Sequence, residues 1–455
     1  MGRGASPSDH PMPQPPGRDL PLWTVVPFAA YLAALALVPL ARPRFWESNR
    51  NKLAMAAAFA LPVAAGLVGA GLAPWLLHSA AEYAAFITLL GSLFVICGGV
   101  HLRGSLPGTP LANTKLLAVG AVMASLVGTT GASMLLIPPL LRANESRQRK
   151  VHIVVFFIFI VSNGGGMLTP LGDPPLYLGF LRGVPFFWTL RLLGPWALVN
   201  GALLLIFNLL DQRILNREEW ERPGSQLEEA QRVKEPLRVE GRRNLAYLAG
   251  VLGVVYLSGR YGARVHIHAP LLLQIGGMAA LAAASLLTTP PAIRRANHFT
   301  WGPILEVAAI FAGVFVTMVP ALKVLEARGA DLGLVRPWHF FWASGLLSSV
   351  LDNAPTYLTF ASMAVGVLNQ GGAGLTADDL GRLVQHPQGA LYLAAVSCGS
   401  VFIGANTYIG NGPNFMVKAI AEHRGVAVPG FFGYMLWSLA VLVPLFVVVT
   451  FVFFL

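Results

Sequence analysis

The sequence predicts an all-α polytopic membrane protein of about ten transmembrane helices and two re-entrant hairpins, arranged as two inverted repeats with broken helices. Three observations predict it. Of the 455 residues, 55% are hydrophobic and only 12% charged, with mean hydropathy +0.62, against roughly 25% charged in a soluble domain. The apolar residues fall into runs of bilayer-spanning length, about 20 residues per helix. Polar, glycine- and proline-rich interruptions recur at corresponding places in the two halves.

The apolar segments occupy 22–41, 53–77, 82–100, 115–141, 152–181, 187–210, 244–259, 268–288, 304–325, 337–365, 389–420 and 430–455. Two of them carry polar tips at mid-length: Gly128-Thr129-Thr130-Gly131-Ala132-Ser133, and Ser348 to Thr356 with Leu351-Asp352-Asn353-Ala354-Pro355 at its centre. Each flanking arm is too short to cross alone, so both segments read as hairpins that enter and leave on one side.

The net charge of +11 reads as a topology signal rather than a nucleic-acid footprint, because Lys and Arg gather in short loops between apolar runs. With the N-terminus outside a bacterial inner membrane, Arg42 to Lys52, Leu102 to Asn113, Arg142 to Lys150 and Asp211 to Arg243 fall in the cytoplasm. Arg260, Arg264, Arg328 and Arg336 are exceptions that fall outside. Residues 1–21 read as a disordered, Pro-rich tail without the order of a cleavable signal, 22–210 as the first repeat, 211–243 as a cytoplasmic linker, and 244–455 as the second repeat. Cys97 and Cys398 sit in apolar segments without metal-ligand spacing, so neither a disulfide nor a zinc site is expected.

The halves correspond element by element. Glu82-Tyr83-Ala84-Ala85 and Glu306-Val307-Ala308-Ala309 each open an apolar span, an interrupted segment follows, and then a broken span. The first break runs from Ser162-Asn163-Gly164-Gly165-Gly166 to Leu171-Gly172-Asp173-Pro174-Pro175, the second from Ser400 to Gly404-Ala405-Asn406-Thr407-Tyr408-Ile409-Gly410-Asn411-Gly412-Pro413. Registered at Ser162 and Ser400, they share Gly166/Gly404, Thr169/Thr407 and Gly172/Gly410, with Asp173 opposite Asn411. The proposed topology runs them in opposite directions, and paired interruptions of this kind point to a transport site.

A helix that stops inside the bilayer leaves N–H and C=O groups open, at a cost of several kcal/mol each unless something polar meets them. The freed carbonyls, with Ser162, Asn163, Thr169, Asn406, Thr407 and Asn411, form an oxygen-rich surrounding suited to a hard cation. Asp173 and Asp352 are the leading candidates, since an acid at membrane depth is functional by default; Thr130 and Asn353 join them at the hairpin tips. A bound Na⁺ is therefore expected at Asn163, Thr169, Asp173, Asp352, Asn406 and Thr407, with Na⁺ and H⁺ as travelling ions and no cofactor. A bland alternative stands beside each acid, the N-cap of the half-helix or hairpin arm that follows it. Glu82 and Glu306 read as interfacial charges, and no Arg or Lys reads as deep enough to grip a carboxylate.

At these residues the sequence resembles the ion-transporter superfamily, which holds the ArsB arsenite pumps, NhaD sodium/proton antiporters, CitMHS citrate carriers and divalent-anion/sodium symporters. It is most similar to the bacterial family described as "putative citrate transport / sodium:proton antiporter", through Ser162-Asn163, Leu168 to Pro175 and Gly404 to Asn414. The resemblance spans about 22–455 and implies a scaffold with a moving transport unit, elevator-like alternating access and a homodimer. The symporter branch carries Ser-Asn-Thr at both hairpin tips, whereas this chain has Thr130-Gly131 and Asp352-Asn353 there, closer to the ArsB/NhaD branch.

The resulting expectation is a secondary transporter, not an enzyme, exchanging Na⁺ for H⁺; its partners are a small ion or carboxylate and the lipid bilayer, with no nucleic acid. Na⁺- or H⁺-coupled uptake of citrate or a related carboxylate is the alternative, and arsenite-type efflux a third. Two aspartates would repel a free citrate unless it arrived chelated to a metal.

Overall fold

The computed structural model describes residues 20–104, 106–221, 238–262, 268–297 and 299–455. Nearly all of the expected N-terminal tail and the middle of the 211–243 linker lie outside the described residues.

After a 3₁₀ turn at Leu22–Val25, the chain forms α1 (Val26–Ala41), the short α2 (Pro43–Trp46), α3 (Asn49–Gly69) and α4 (Ala73–Cys97). The expected boundary between the second and third spans shifts here. Gly71 has φ +74, a left-handed turn open to glycine, and Pro74 sits in the first turn of the next helix. The chain therefore turns at 70–72, and Glu82 lies in the middle of α4 instead of at its start.

Two closely packed helix pairs stand where the interrupted segments were read. The first is α5 (Pro110–Val127) and α6 (Thr129–Ala143), joined by Gly128 alone at φ +83. Its N-terminus is capped by Thr109, whose hydroxyl accepts from the Ala112 N–H. After it come α7 (Val151–Ile160), buried from His152 onward, an irregular stretch, α8 (Pro174–Leu181), a 3₁₀ segment at Phe186–Leu192, and α9 (Leu193–Glu221). Residues 211–221, the first part of the expected linker, continue α9 as a helix. Asp211 and Glu218 are buried against Arg147, so the helix has reason to persist past its apolar part.

The second half contributes α10 (Arg243–Gly262), α11 (His268–Thr288), α12 (Pro291–Ala296) and α13 (Gly302–Arg328). The second pair follows, α14 (Pro337–Ser348) and α15 (Asn353–Asn369), then α16 (Leu380–Leu383), α17 (Pro387–Cys398), a π turn and a 3₁₀ turn through Asn406, α18 (Gly412–His423) and α19 (Phe431–Val449). One small antiparallel strand pair, β1 (His101–Arg103) with β2 (Arg238–Glu240), ties the loop after α4 to the chain before α10.

Among the described residues, nine stretches are long and apolar enough to cross a membrane. The protein is an all-α polytopic membrane protein. Its helices form two groups, with α3, α4, α11 and α13 packed together and α5, α7 and α9, with α14, α15, α17 and α18, around the two irregular stretches; α13 also packs along α15, which joins the groups. Exposed Leu53, Leu61, Val68, Leu272 and Leu273 on α3 and α11 turn outward, as lipid-facing side chains do.

Candidate functional site

Both helices break. The first loses its α-helical path after Ile160 and resumes at Pro174; the second loses it after Cys398 and resumes at Gly412. Close backbone approach fixes both loops. A Cβ on Gly172 would overlap the Gly166 carbonyl oxygen, and one on Gly410 would overlap that of Gly404. The same four glycines that register the halves in sequence therefore close the loops in space, 166 against 172 and 404 against 410.

The hydroxyls repeat the match. Thr169 donates to the Ser125 carbonyl and accepts from the Leu171 N–H at 3.2 Å. Thr407 donates to the Ser349 carbonyl and accepts from the Ile409 N–H at 3.1 Å. Ser125 donates to the Gly165 carbonyl, as Ser349 does to that of Ile403. Each break is thus sewn to the first arm of its own helix pair, and part of the open backbone is met in that way.

The breaks and the hairpin tips converge on Asp173. This residue occupies the N-cap position of α8 with extended backbone, yet its side chain makes no capping bond. Among the described residues, its fully buried carboxylate instead accepts from three other elements: Asn353 Nδ2 at 2.7 Å, Thr129 Oγ1 at 3.2 Å and Asn411 Nδ2 at 3.4 Å. Thr129 and Asn353 are each the first residue of the second arm of a hairpin, and Asn411 is the N-cap of α18.

A ring of amides carries the contact onward. Asn411 also donates to the Ser162 carbonyl and to Asn163 Oδ1, both at 3.1 Å. Asn163 donates to Asn414 Oδ1 at 2.7 Å and to the Ile158 carbonyl at 2.8 Å, and Asn414 closes onto the Thr407 carbonyl at 3.0 Å. Ser162 shares a hydrogen bond with Ser133 at 2.8 Å. Asn353 Oδ1, Asn406 Oδ1 and Ser400 Oγ are buried, and none of the described residues offers them a hydrogen-bond partner. Buried acceptors of this kind carry a real desolvation cost.

The sequence-predicted residues divide accordingly. Asp173, Asn353, Asn411, Asn163 and Ser162 come together directly, and Thr169 and Thr407 brace the loops around them. Asn406 reaches Ser349 Oγ at 3.4 Å. Asp352 is half-buried and takes the bland role, accepting from the Ala354 N–H at 3.1 Å as the N-cap of α15, although it lies close enough to Asp173 to add like charge. At the first tip it is Thr129, not the expected Thr130, whose hydroxyl reaches Asp173.

The description "Putative citrate transport" belongs to the family whose pattern matches residues 17–454, nearly the whole chain. The chain belongs to this family. It is also 26% identical over 343 residues to the inner membrane protein YbiR of Escherichia coli (strain K12), covering 70% of this chain and 84% of that protein. A multi-pass membrane transporter is what the family and the nine apolar stretches describe together.

Two charged clusters escaped the sequence reading. Arg182, which follows α8, is buried and donates through Nε and Nη2 to both oxygens of Glu82 at 2.8 and 2.9 Å. Lys52 and Lys323 are also buried, so the expectation that no cation lies deep is corrected. The reason is local: α8 has only eight residues, and the cation after it ends inside the protein. These cations are all engaged, Lys52 by Glu306 at 2.7 Å and Lys323 by Asp378 at 2.6 Å. At the other end of α7, His152 and Arg147 both reach Asp211 Oδ1, at 2.8 and 2.6 Å, and Asn113 donates to its other oxygen. Only the flanking of apolar runs by single charges hinted at either cluster.

Proposed function

We propose that the protein is a Na⁺/H⁺ antiporter of the bacterial inner membrane that works by alternating access, with the cation held at Asp173 between the two broken helices and the hairpin tips. The observation that carries this reading is the choice of donors around Asp173: three neutral groups and no Lys or Arg among the described residues. A carboxylate so placed in a low-dielectric setting is neutralised either by a proton or by a small cation, and one excludes the other. The buried oxygens of Asn353 and Asn406, which have no hydrogen-bond partner among the described residues, extend the ligand set for a hard cation.

The matched contacts of the two halves support an inverted-repeat design. In that reading the helix pairs are re-entrant, entering from opposite faces, and the N-terminus lies outside. Exchange of the two sides then amounts to movement of the site-bearing elements against α3, α4, α11 and α13.

Citrate or a related carboxylate is the second reading, favoured by the family description. Unchelated citrate anion would face Asp173 and Asp352 without an unengaged cation among the described residues at the site, so this reading calls for a metal-chelated anion. Inverted vesicles carrying a pH-sensitive dye separate the two. Na⁺ addition should collapse an imposed proton gradient, with citrate having no effect. Accumulation of radiolabelled citrate under a Na⁺ gradient, with no proton movement driven by Na⁺ alone, would replace the first reading with the second.

A further inference from the structure

The Glu82–Arg182 pair stands apart from the amide ring at Asp173, and it belongs to a larger arrangement. Arg182 Nη1 also donates to the Ala377 carbonyl at 3.3 Å, while Lys323 on α13 donates to Asp378 at 2.6 Å and to Glu326 at 3.2 Å. Trp75, His78, Ser79, Glu82, Lys323 and Asp378 are among the residues lining a cavity of about 50 Å³ between them. That volume takes water but is far below the roughly 300 Å³ where organic-ligand pockets begin.

The partition of these residues is the informative feature. Glu82 and Lys323 stand on α4 and α13, which pack on each other and on α3 or α11. Arg182 directly follows the half-helix α8, whose N-cap is Asp173, and Asp378 lies in the loop that follows α15. Two ion pairs thus cross the same boundary in opposite senses: acid on the packed helices to base on α8, and base on the packed helices to acid on the loop. Sliding one group of elements past the other breaks both at once. The Asp378 side chain is 44% exposed and the cavity adjoins it, so water can reach the separating charges. A pair sealed on all sides would lack that relief and would hold the elements permanently.

We infer that the two cross-pairs, Glu82–Arg182 and Lys323–Asp378, form a latch that holds the site-bearing elements against α4 and α13 in the present conformation and opens when the protein changes sides. This rests on the alternating-access reading above. The latch is a positioning device: neither pair touches the ion site.

Ser79, buried beside the latch with its hydroxyl on the Phe315 carbonyl at 2.6 Å, provides a reporter. In purified full-length protein carrying Ser79→Cys, maleimide modification of that one residue is followed by mass spectrometry. Asp378→Asn and Lys323→Gln should each speed modification roughly tenfold, a usual size for conformational coupling. The exchange Lys323→Asp with Asp378→Lys should restore slow modification. Glu82→Gln with Arg182→Gln tests the second pair without leaving a buried charge unmatched. Unchanged rates in Asp378→Asn and Lys323→Gln, with the protein eluting as a single species, would overturn the latch, as would an exchange variant as fast as the single changes. Modification requires no transport, so a parent protein with latch-dependent rates but no Na⁺-driven proton movement would remove the antiport reading alone.

Discussion

Asn411 donates to the Asp173 carboxylate at 3.4 Å, and the two residues hold the same place in the two halves of the chain. Each is the extended residue before a half-helix, at φ −144 and ψ 142 for Asp173 and φ −155 and ψ 136 for Asn411. One position thus keeps the acid while its counterpart supplies an amide that donates to it. At this pair of positions only the first carries an acid, and the second answers it with a donor.

The hairpin tips make unequal use of neighbouring threonines. Thr129→Ala should lower Na⁺ affinity by about 10- to 100-fold, since a hydrogen bond to a charged group contributes ~1.5–3 kcal/mol. Thr130→Ala should leave affinity within about twofold, by the usual neutrality of changes away from such contacts. Calorimetric titration with NaCl checks both. Equal effects would mean that the tip is displaced from the position described.

The paired glycines make a sharper structural demand. Gly172→Ala and Gly410→Ala each force a methyl group onto a carbonyl of the opposing strand of the loop. Each should cost at least ~1–3 kcal/mol, the usual size for overpacking, and should lower the melting temperature in detergent. Gly412→Ala, which meets nothing within 4 Å, serves as the tolerated control.

The cluster at Asp211 should act on stability and not on ion choice. It joins α5, α7, α9 and the loop at Arg147 through buried bonds from Asn113, His152 and Arg147. Asp211→Asn removes the nearer of the two buried acids beside Arg147 and leaves it Glu218 at 3.7 Å, so the cost should approach the ~3–5 kcal/mol of a buried pair broken from one side. Thermal unfolding should shift markedly downward, while the Na⁺ to Li⁺ preference of the surviving protein stays as in the parent.

The pH response of the latch has a defined sign. Burial alone would raise the pKa of Asp378, but Lys323 beside it, with Arg182 and His78 further off, holds its carboxyl below the usual carboxylate range. Its stabilisation is therefore present above the unfolded value, about 3.9, and is lost only as pH falls through the lower folded value. Glu82, Arg182 and His78 line the same cavity, and Glu326 pairs with Lys323 at 3.2 Å. Modification of Ser79→Cys by a reagent corrected for its own pH dependence should show no step attributable to Asp378 between pH 8 and pH 5, roughly the window above that reference. A step that vanishes in Asp378→Asn would contradict this.

Much of the architecture was legible because oil penalises open backbone so heavily. Gly166, Gly172 and Gly410 mark places where two stretches of chain meet too closely for a side chain, Gly404 a tight contact, and Pro174 and Pro413 mark where helix resumes. Those demands act locally and leave a trace in sequence. The finer assignments depended on geometry that no local pattern records. Gly128, at its positive φ, sets the phase of the tip and so selects Thr129 over Thr130. Asp352 and Asp173 precede similar helices, yet only the first turns back to cap its own. Arg182 looked superficial because the shortness of α8 depends on where the break ends. Glu82 was placed at a helix start because the turn at Gly71 interrupts an otherwise apolar run.

The central claim is that Asp173 holds the transported cation in exchange for a proton. Calorimetric titration of the purified protein with NaCl, repeated in buffers of different ionisation enthalpy, tests it most directly. The account predicts saturable Na⁺ binding with proton release that rises as the pH is lowered from alkaline values, and loss of both in Asp173→Asn with the fold retained. Undiminished Na⁺ binding by Asp173→Asn, or binding in the parent without any proton release across the pH range, would contradict it.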